Sequence, residues 1–271
     1  MIAHPLSLSS QPIVRVLLID IDGTLVSKGE LIPGADQAVE ALRETGFRLK
    51  FLTNTDSRDA DTLADELTKL GLTVSVSEIV TAIDAAYHYI ARKGPGRCYC
   101  LMPKQLAGRF YSLYPEEGEV RYVVVGDPRE TTHYTNLNHA FRYVLSGAEI
   151  VAAQRGRFFI SQDGYQLDTG PDVALLEYAT GKQATLVGKP EKAFFDGATS
   201  DLDVPPEQVV VVGDDVTSDI LGAAAAGMRS VLTRTGKYAA QRDLPITSGP
   251  DWTINSIADL PALVEQMRAE A

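Results

Sequence analysis

Two stretches of this chain, one near each end, repeat the same order: a short run of β-branched residues, then an amphipathic segment closed by glycine. In the first stretch Val14–Ile19 is apolar throughout, as a strand buried on both faces requires. Ala35–Thr45 follows, with Ala38, Val39 and Leu42 at helical spacing and Gly46 as the stop. Arg48–Leu52 reads as a second strand and Glu78–Thr81 as a third. Between them Asp59–Leu70 sets Leu63, Leu67 and Leu70 on one helical face ahead of Gly71. The second stretch reads strand Ala184–Val187, helix Glu191–Ser200, strand Gln208–Val212, helix Asp219–Ala226 stopped by Gly227, and strand Ser230–Thr233. Such alternation implies an α/β fold, a Rossmann-like parallel sheet with helices on both faces. The alanines Ala223–Ala226 suit a helix lying close to that sheet, although helix propensity alone accounts for them.

Residues 84–182 break the pattern with strands (Tyr122–Val125, Ile150–Ala153, Phe158–Ser161) and helices (Asp84–Arg92, His133–Ser146, Asp172–Thr180) of their own. That length suffices for a second small domain. The expected organisation is a core of residues 1–83 and 183–271 with an α/β cap, 84–182, inserted between them.

Charge divides along the same line. The 271 residues carry 25 Lys+Arg against 36 Asp+Glu, a net charge of −11. Residues 84–182 hold 11 of each sign, so the acidic excess belongs to the core. An acidic chain without clustered positive charge is a poor binder of nucleic acid or of an anionic membrane. Its longest apolar runs are far short of a bilayer span. Met1–Pro12 has neither the basic nor the apolar region of a signal peptide, which leads to the expectation of a cytoplasmic protein. Cys98 and Cys100 stand two apart on a strand, side chains parallel and roughly 6.5 Å apart. That suits neither a disulfide nor zinc, so they read as core thiols.

Four polar segments each follow an expected strand. Asp20-Ile21-Asp22-Gly23-Thr24-Leu25 places two carboxylates where the first strand ends. In open parallel sheets ligands bind at the carboxyl ends of strands, and adjacent acids beside apolar sequence call for a cation. Thr53-Asn54-Thr55 offers a hydroxyl, an amide and N–H groups, a neutral phosphate cradle. Gly188-Lys189-Pro190 offers an ammonium to a transferring phosphoryl group. Gly213-Asp214-Asp215-Val216-Thr217-Ser218-Asp219 gathers carboxylates that suit a hard cation, Mg²⁺ in preference to zinc. Taken singly, each segment also reads as a turn, a solvated lysine or a helix cap. Together they supply a nucleophile, a phosphate cradle, a cation and a metal site, a complementarity that unrelated turns would not provide.

In this order the four segments resemble the motifs of the haloacid dehalogenase superfamily of phosphohydrolases. The insertion between the second and third resembles the NagD-like subclass with its α/β cap. The resemblance implies a phosphatase hydrolysing small phosphomonoesters. Asp20 would be the nucleophile, forming an aspartyl-phosphate, and Asp22 the acid and base. Mg²⁺ would be held by Asp20, the Asp22 carbonyl and Asp214. Thr53, Asn54 and Lys189 would bind phosphate, with Asp219 orienting Lys189 and Asp215 supporting the metal shell. Substrate choice would lie in cap loops, with Asp127, Arg129, Gln154 and Arg155 as candidates; relatives often carry an acid near Gln154-Arg155, so no particular substrate transfers. The partner is a small phosphorylated metabolite, and a homodimer through the cap is an arrangement common in the family. His133 and His139 have no metal-binding spacing and read as helix positions. The rivals are a phosphorylated signalling domain, which would need about half this length, a non-catalytic scaffold, and a phosphotransferase or mutase.

Overall fold

The computed structural model describes residues 14–94, 96–113, 117–161, 163–245 and 247–269; Met1–Pro12 lies outside them. In chain order the strands are β1 (Val16–Asp20), β2 (Val26–Ser27), β3 (Glu30–Leu31), β4 (Arg48–Thr53), β5 (Ile79–Thr81), β6 (Arg97–Leu101), β7 (Val120–Val125), β8 (Glu149–Ala152), β9 (Phe158–Ser161), β10 (Gly164–Leu167), β11 (Thr185–Leu186), β12 (Val209–Gly213), β13 (Arg229–Thr233) and β14 (Trp252–Ile254).

Six of them form one parallel sheet in the order β14-β13-β12-β1-β4-β5. The chain builds outward from β1 through β4 and β5, then resumes on the other side of β1 with β12. Its topological switch point therefore lies between β1 and β12, where a crevice opens at the carboxyl ends.

Why these strands are central follows from their side chains. All five residues of β1 and all five of β12 are buried. Leu17, Ile19, Val210 and Val212 point to one layer, with helices Ala35–Glu44, Ala60–Leu70 and Leu260–Ala269. Val16, Leu18, Val209 and Val211 point to the other, under helices Lys192–Thr199 and Leu221–Ala226. Alternation along a strand thus feeds two apolar layers at once. The alanine run behaves accordingly: Ala223 and Ala226 are buried, Ala224 and Ala225 exposed.

A second parallel sheet, ordered β11-β8-β7-β6, forms the cap, with the β9–β10 hairpin beside it. Helices Ala82–Lys93 and Lys104–Leu113 cover one face and Tyr134–Leu145 and Gly170–Thr180 the other. Thr81 starts the first of these: its hydroxyl accepts from Asp84 N at 3.0 Å, while Asp84 Oδ2 accepts from Thr81 N at 3.2 Å. Cys98 and Cys100 are free and buried in this core, and burial pushes the Cys98 thiol up to about 12.

Sheet pairing differs from the sequence expectation at one boundary. Thr185–Leu186, assigned from sequence to the core, pairs with Val151 and Ala152 of β8 in the cap sheet. A two-residue strand holds too few side chains to announce which sheet it joins. No helix among the described residues is long and apolar enough to cross a membrane.

Candidate active site

Asp20 closes β1 and is 5% exposed. Its Oδ1 receives the Lys189 ammonium at 2.5 Å and its Oδ2 the Thr24 hydroxyl at 3.1 Å. Lys189 Nζ also reaches Asp219 Oδ1 at 2.7 Å, so one buried ammonium bridges two buried carboxylates. Burial pushes the Asp20 and Asp219 carboxyls upward while Lys189 opposes it, and the two carboxylates hold Lys189 well above its ordinary value against its own burial. Asp214, just past β12, is pushed up to about 7, by burial first and then by Asp219.

The chain after β12 does not enter an α-helix directly. Residues Val216–Ile220 form a wider π-type turn before helix Leu221–Ala226 begins. That turn keeps Asp219 facing the crevice, and Asp215 caps it by accepting from Thr217 N at 2.9 Å and Ser218 N at 3.1 Å. Asp215 is therefore turned aside. It pairs with Lys237 Nζ at 2.8 Å, and although burial opposes ionisation, Lys237 holds the carboxyl well below the usual range.

Around the acids, Gly23, Gly236 and Gly213 leave no room for a Cβ. A Cβ on Gly23, at φ +98°, would lie 2.7 Å from Asp214 Oδ1. One on Gly236, at φ +50°, would lie 2.7 Å from both Asp214 Cγ and the Gly23 Cα. Gly213 has Asp219 Cβ at 2.6 Å from the same hypothetical atom. The Gly23 and Gly236 loops are tied together by Thr235, whose hydroxyl donates to Gly23 O at 2.6 Å, while Lys237 N donates to Asp214 Oδ2 at 2.6 Å.

Asp20, Asp214 and Asp219 each present a carboxylate oxygen within 4.8 Å of the others, all three residues buried. Three buried acids against one bridging lysine leave an uncompensated negative charge, and oxygen is the only donor type. The site fits a hard divalent cation. Asp22, named with the metal through its backbone carbonyl and as acid and base through its carboxylate, sets that carboxylate against the second motif: Oδ2 accepts from Thr53 Oγ1 at 3.2 Å and Thr55 Oγ1 at 2.8 Å. Asp219, expected to orient Lys189 and to belong to the carboxylates around the cation, receives the Lys189 ammonium and stands within the acidic cluster.

Asn54 has a different engagement from the one its motif suggested. Its Oδ1 accepts from Lys189 N at 2.9 Å and its Nδ2 donates to Lys189 O at 3.0 Å, so both ends of the amide grip the lysine's backbone. Thr53 is 1% exposed; its hydroxyl serves Asp22 and accepts from Thr55 N at 2.8 Å.

One cavity of about 990 Å³ joins these groups to the cap. Asp127, Arg129, Gln154 and Arg155 all line it. Asp127 fixes Arg129 through Nε at 2.8 Å and through Nη2, and the guanidinium lies 5.1 Å over the Phe159 ring. Gln154 bonds Asp168 and Gly156 N, and Arg155 pairs with Glu177 at 2.5 Å. His133 begins helix Tyr134–Leu145, and His139 sits edge-on to Tyr99 at 6.3 Å.

Sequence reasoning assigned no role to Gly236, Lys237, Asp56 or Thr169, all of which line the cavity. The only signal for the first two was a short Thr-Gly-Lys run after β13.

A strand-end carboxylate, a buried lysine and clustered acids at the switch point define an acid-rich site on an α/β core with a cap. The chain belongs to the haloacid dehalogenase-like hydrolases, and within them it is a phosphatase of the NagD-like kind. Residues 17–112 match the haloacid dehalogenase-like hydrolase model and residues 186–260 a second HAD-hydrolase-like model. It is 37% identical over 243 residues to haloacid dehalogenase-like hydrolase domain-containing protein 2 of Bos taurus, covering 90% of this chain and 93% of the relative. Among solved structures it resembles the 4-nitrophenylphosphatase of Thermotoga maritima, at TM-score 0.85 and 28% identity, over 93% of this chain and 97% of the other. It also resembles the glycerol phosphate phosphatase of Mycobacterium tuberculosis, solved in complex with magnesium, at TM-score 0.82 and 31% identity, over 91% of this chain and 76% of that one.

Proposed function

We propose that the protein hydrolyses small phosphomonoesters by way of an aspartyl-phosphate on Asp20, with Mg²⁺ as its metal. The observation that carries this is the Lys189 bridge between Asp20 and Asp219 beside Asp214, at the switch point. Lys189 opposes the burial that pushes the Asp20 carboxyl up, and the carboxylate it steadies attacks phosphorus in line while the ester oxygen leaves. Asp22, held by the Thr53 and Thr55 hydroxyls and exposed to the cavity, gives its proton to the leaving oxygen. It then takes one from the water that cleaves the intermediate. Asp20 and Asp214, with the Asp22 carbonyl, would hold Mg²⁺, and Asp219 stands ready as a further ligand or as the orienter of Lys189. When bound, the metal draws phosphoryl and carboxylate oxygens together despite their like charge. Asn54 acts on the phosphoryl group through Lys189, whose position it sets.

Substrate selection falls to the cap. Arg129, locked by Asp127 and Phe159, keeps Nη1 unengaged among the described residues and offers it to the leaving group. Arg155 and Gln154 are engaged in holding the cap's own loops. The test is Asp20→Asn assayed with p-nitrophenyl phosphate and a panel of phosphorylated metabolites, with Mg²⁺ and with EDTA. Activity should vanish in the variant and in EDTA, and return on adding Mg²⁺. A variant retaining more than about a hundredth of the wild-type rate would overturn the nucleophile assignment, since covalent catalysis supplies more than that.

A further inference from the structure

Four consecutive residues at the end of β4 are each committed to another part of the molecule. Thr53 and Thr55 hold Asp22, and Asn54 grips the Lys189 backbone. Asp56, next in line, turns to the cap. Its Oδ2 accepts from Thr169 Oγ1 at 2.6 Å, and its carbonyl accepts from Asp127 N at 3.4 Å. Asp56 is 5% and Thr169 1% exposed, so the bond is closed to water.

Thr169 occupies the N-cap position of helix Gly170–Thr180, where a hydroxyl ordinarily accepts from the helix's own N–H groups. Here it makes no such bond and donates across the junction instead. Its seat is firm. Asp168 Oδ1 accepts from Thr169 N at 2.9 Å and from Gln154, and Gly170 N donates to Gly156 O at 2.9 Å. A helix that forgoes its cap and a core that buries a carboxyl both give up stability. What they share is the junction.

We propose that Asp56 is a positioning residue whose bond to Thr169 couples the seating of the cap to the placement of Lys189 and Asp22. The roles of those two residues rest on the phosphatase mechanism above. With the cap seated, the loop is anchored at its far end, and Thr53, Asn54 and Thr55 hold their partners in register. With the cap lifted, Asp56 loses Thr169 and Asp127 N together, and the grip on Lys189 slackens.

The coupling is linked to a proton. Burial pushes the Asp56 carboxyl up to about 7; the Thr169 hydroxyl opposes, Asp168 and Asp127 add repulsion, and Gln154 opposes. Arg129 is the cation facing it from the Asp127 loop, and the apolar Ile83 and Met102 pack beside its carbonyl at Gly126. A lifted cap returns Asp56 to water and to the ordinary carboxylate range. The seated state thus holds the extra proton, so seating is favoured below about pH 7 and weakens as pH rises through it.

Backbone hydrogen exchange of the full chain tests this, read as protection factors at residues 54–58 and 188–189. Thr169→Val should lower protection there about tenfold, the loss expected for one buried hydrogen bond, and Thr169→Ser should restore it. Wild-type protection should fall between pH 6 and pH 8, and that of Asp56→Asn should not. In parallel, kcat toward p-nitrophenyl phosphate should drop severalfold in Thr169→Val and recover in Thr169→Ser. Unchanged protection at residues 54–58 and 188–189 in Thr169→Val, or a loss confined to residues 169–172, would overturn the coupling. An inactive wild type would overturn the phosphatase mechanism, while exchange would still decide the coupling on its own.

Discussion

Lys189→Met isolates the electrostatics of the site from its chemistry. In the wild type one ammonium, 3% exposed, serves Asp20 and Asp219, with Asp214 close by. Methionine fills nearly the same volume without charge, leaving buried carboxylates with no positive partner. Removing one member of a buried ion pair costs about 3–5 kcal/mol, held to that range because the stranded acids take up protons. At roughly 2–4 °C per kcal/mol for a chain of this size, melting should fall by about 10 °C in EDTA. Mg²⁺ should then stabilise the variant more than the wild type, because the site has become more acidic. Saturation at a hundredfold excess over the dissociation constant contributes about 2.7 kcal/mol. Adding Asp20→Asn removes one stranded acid, so the double variant should melt above Lys189→Met in EDTA while neither has activity. Thermal unfolding with and without Mg²⁺, followed by p-nitrophenyl phosphate turnover, is the assay. A Lys189→Met protein melting within about 2 °C of wild type in EDTA would refute the view that this lysine neutralises a dry acidic cluster.

Two further outcomes follow from close approaches elsewhere. Gly236→Ala puts a methyl group against Asp214 in a left-handed backbone conformation that costs about 1–2 kcal/mol by itself. It should raise the Mg²⁺ concentration for half-maximal activity at least tenfold, and an unchanged metal dependence would refute it. Cys98 and Cys100, buried and with thiols raised by burial, should resist iodoacetamide at pH 8 in the native protein and react fully in urea. Rapid native labelling, read by mass spectrometry, would contradict their burial.

Residues that end a buried strand were the easiest to place from sequence. Asp20, Lys189 and Asp214 each follow an apolar run or a short β-branched one, and a parallel sheet has only one end at which such residues gather. What stayed hidden depends on contacts between distant segments. Nothing local to Asn54 says that its amide will be used up on a backbone 135 positions away. Thr169 stands where a hydroxyl normally caps its own helix, and only the presence of Asp56 across the junction redirects it. Gly236 reads as one more turn glycine until Asp214 is seen against it. The sequence reading starts the helix at Asp219, inside the wider turn Val216–Ile220, because nothing in Val216-Thr217-Ser218 distinguishes such a turn from a polar loop. Helix Leu260–Ala269 and β14, which complete one apolar layer, went unassigned from sequence.

The pairing of β11 has a consequence for how such proteins can be varied. Val187 N still donates to Ala152 O at 3.0 Å, and Gly188 then threads between Ala153 O and the Asn54 amide, where a Cβ would lie 2.7 Å from Asn54 Oδ1. Lys189 comes next. The lysine therefore hangs from the margin of the cap sheet by a single residue, with Asn54 as its tether on the core side. A cap is not a cassette that can be exchanged as residues 84–182. A graft cut there strands a two-residue strand without its neighbour and leaves the ammonium that bridges Asp20 and Asp219 on a slack line. Cap and lysine are inherited, or engineered, as one piece.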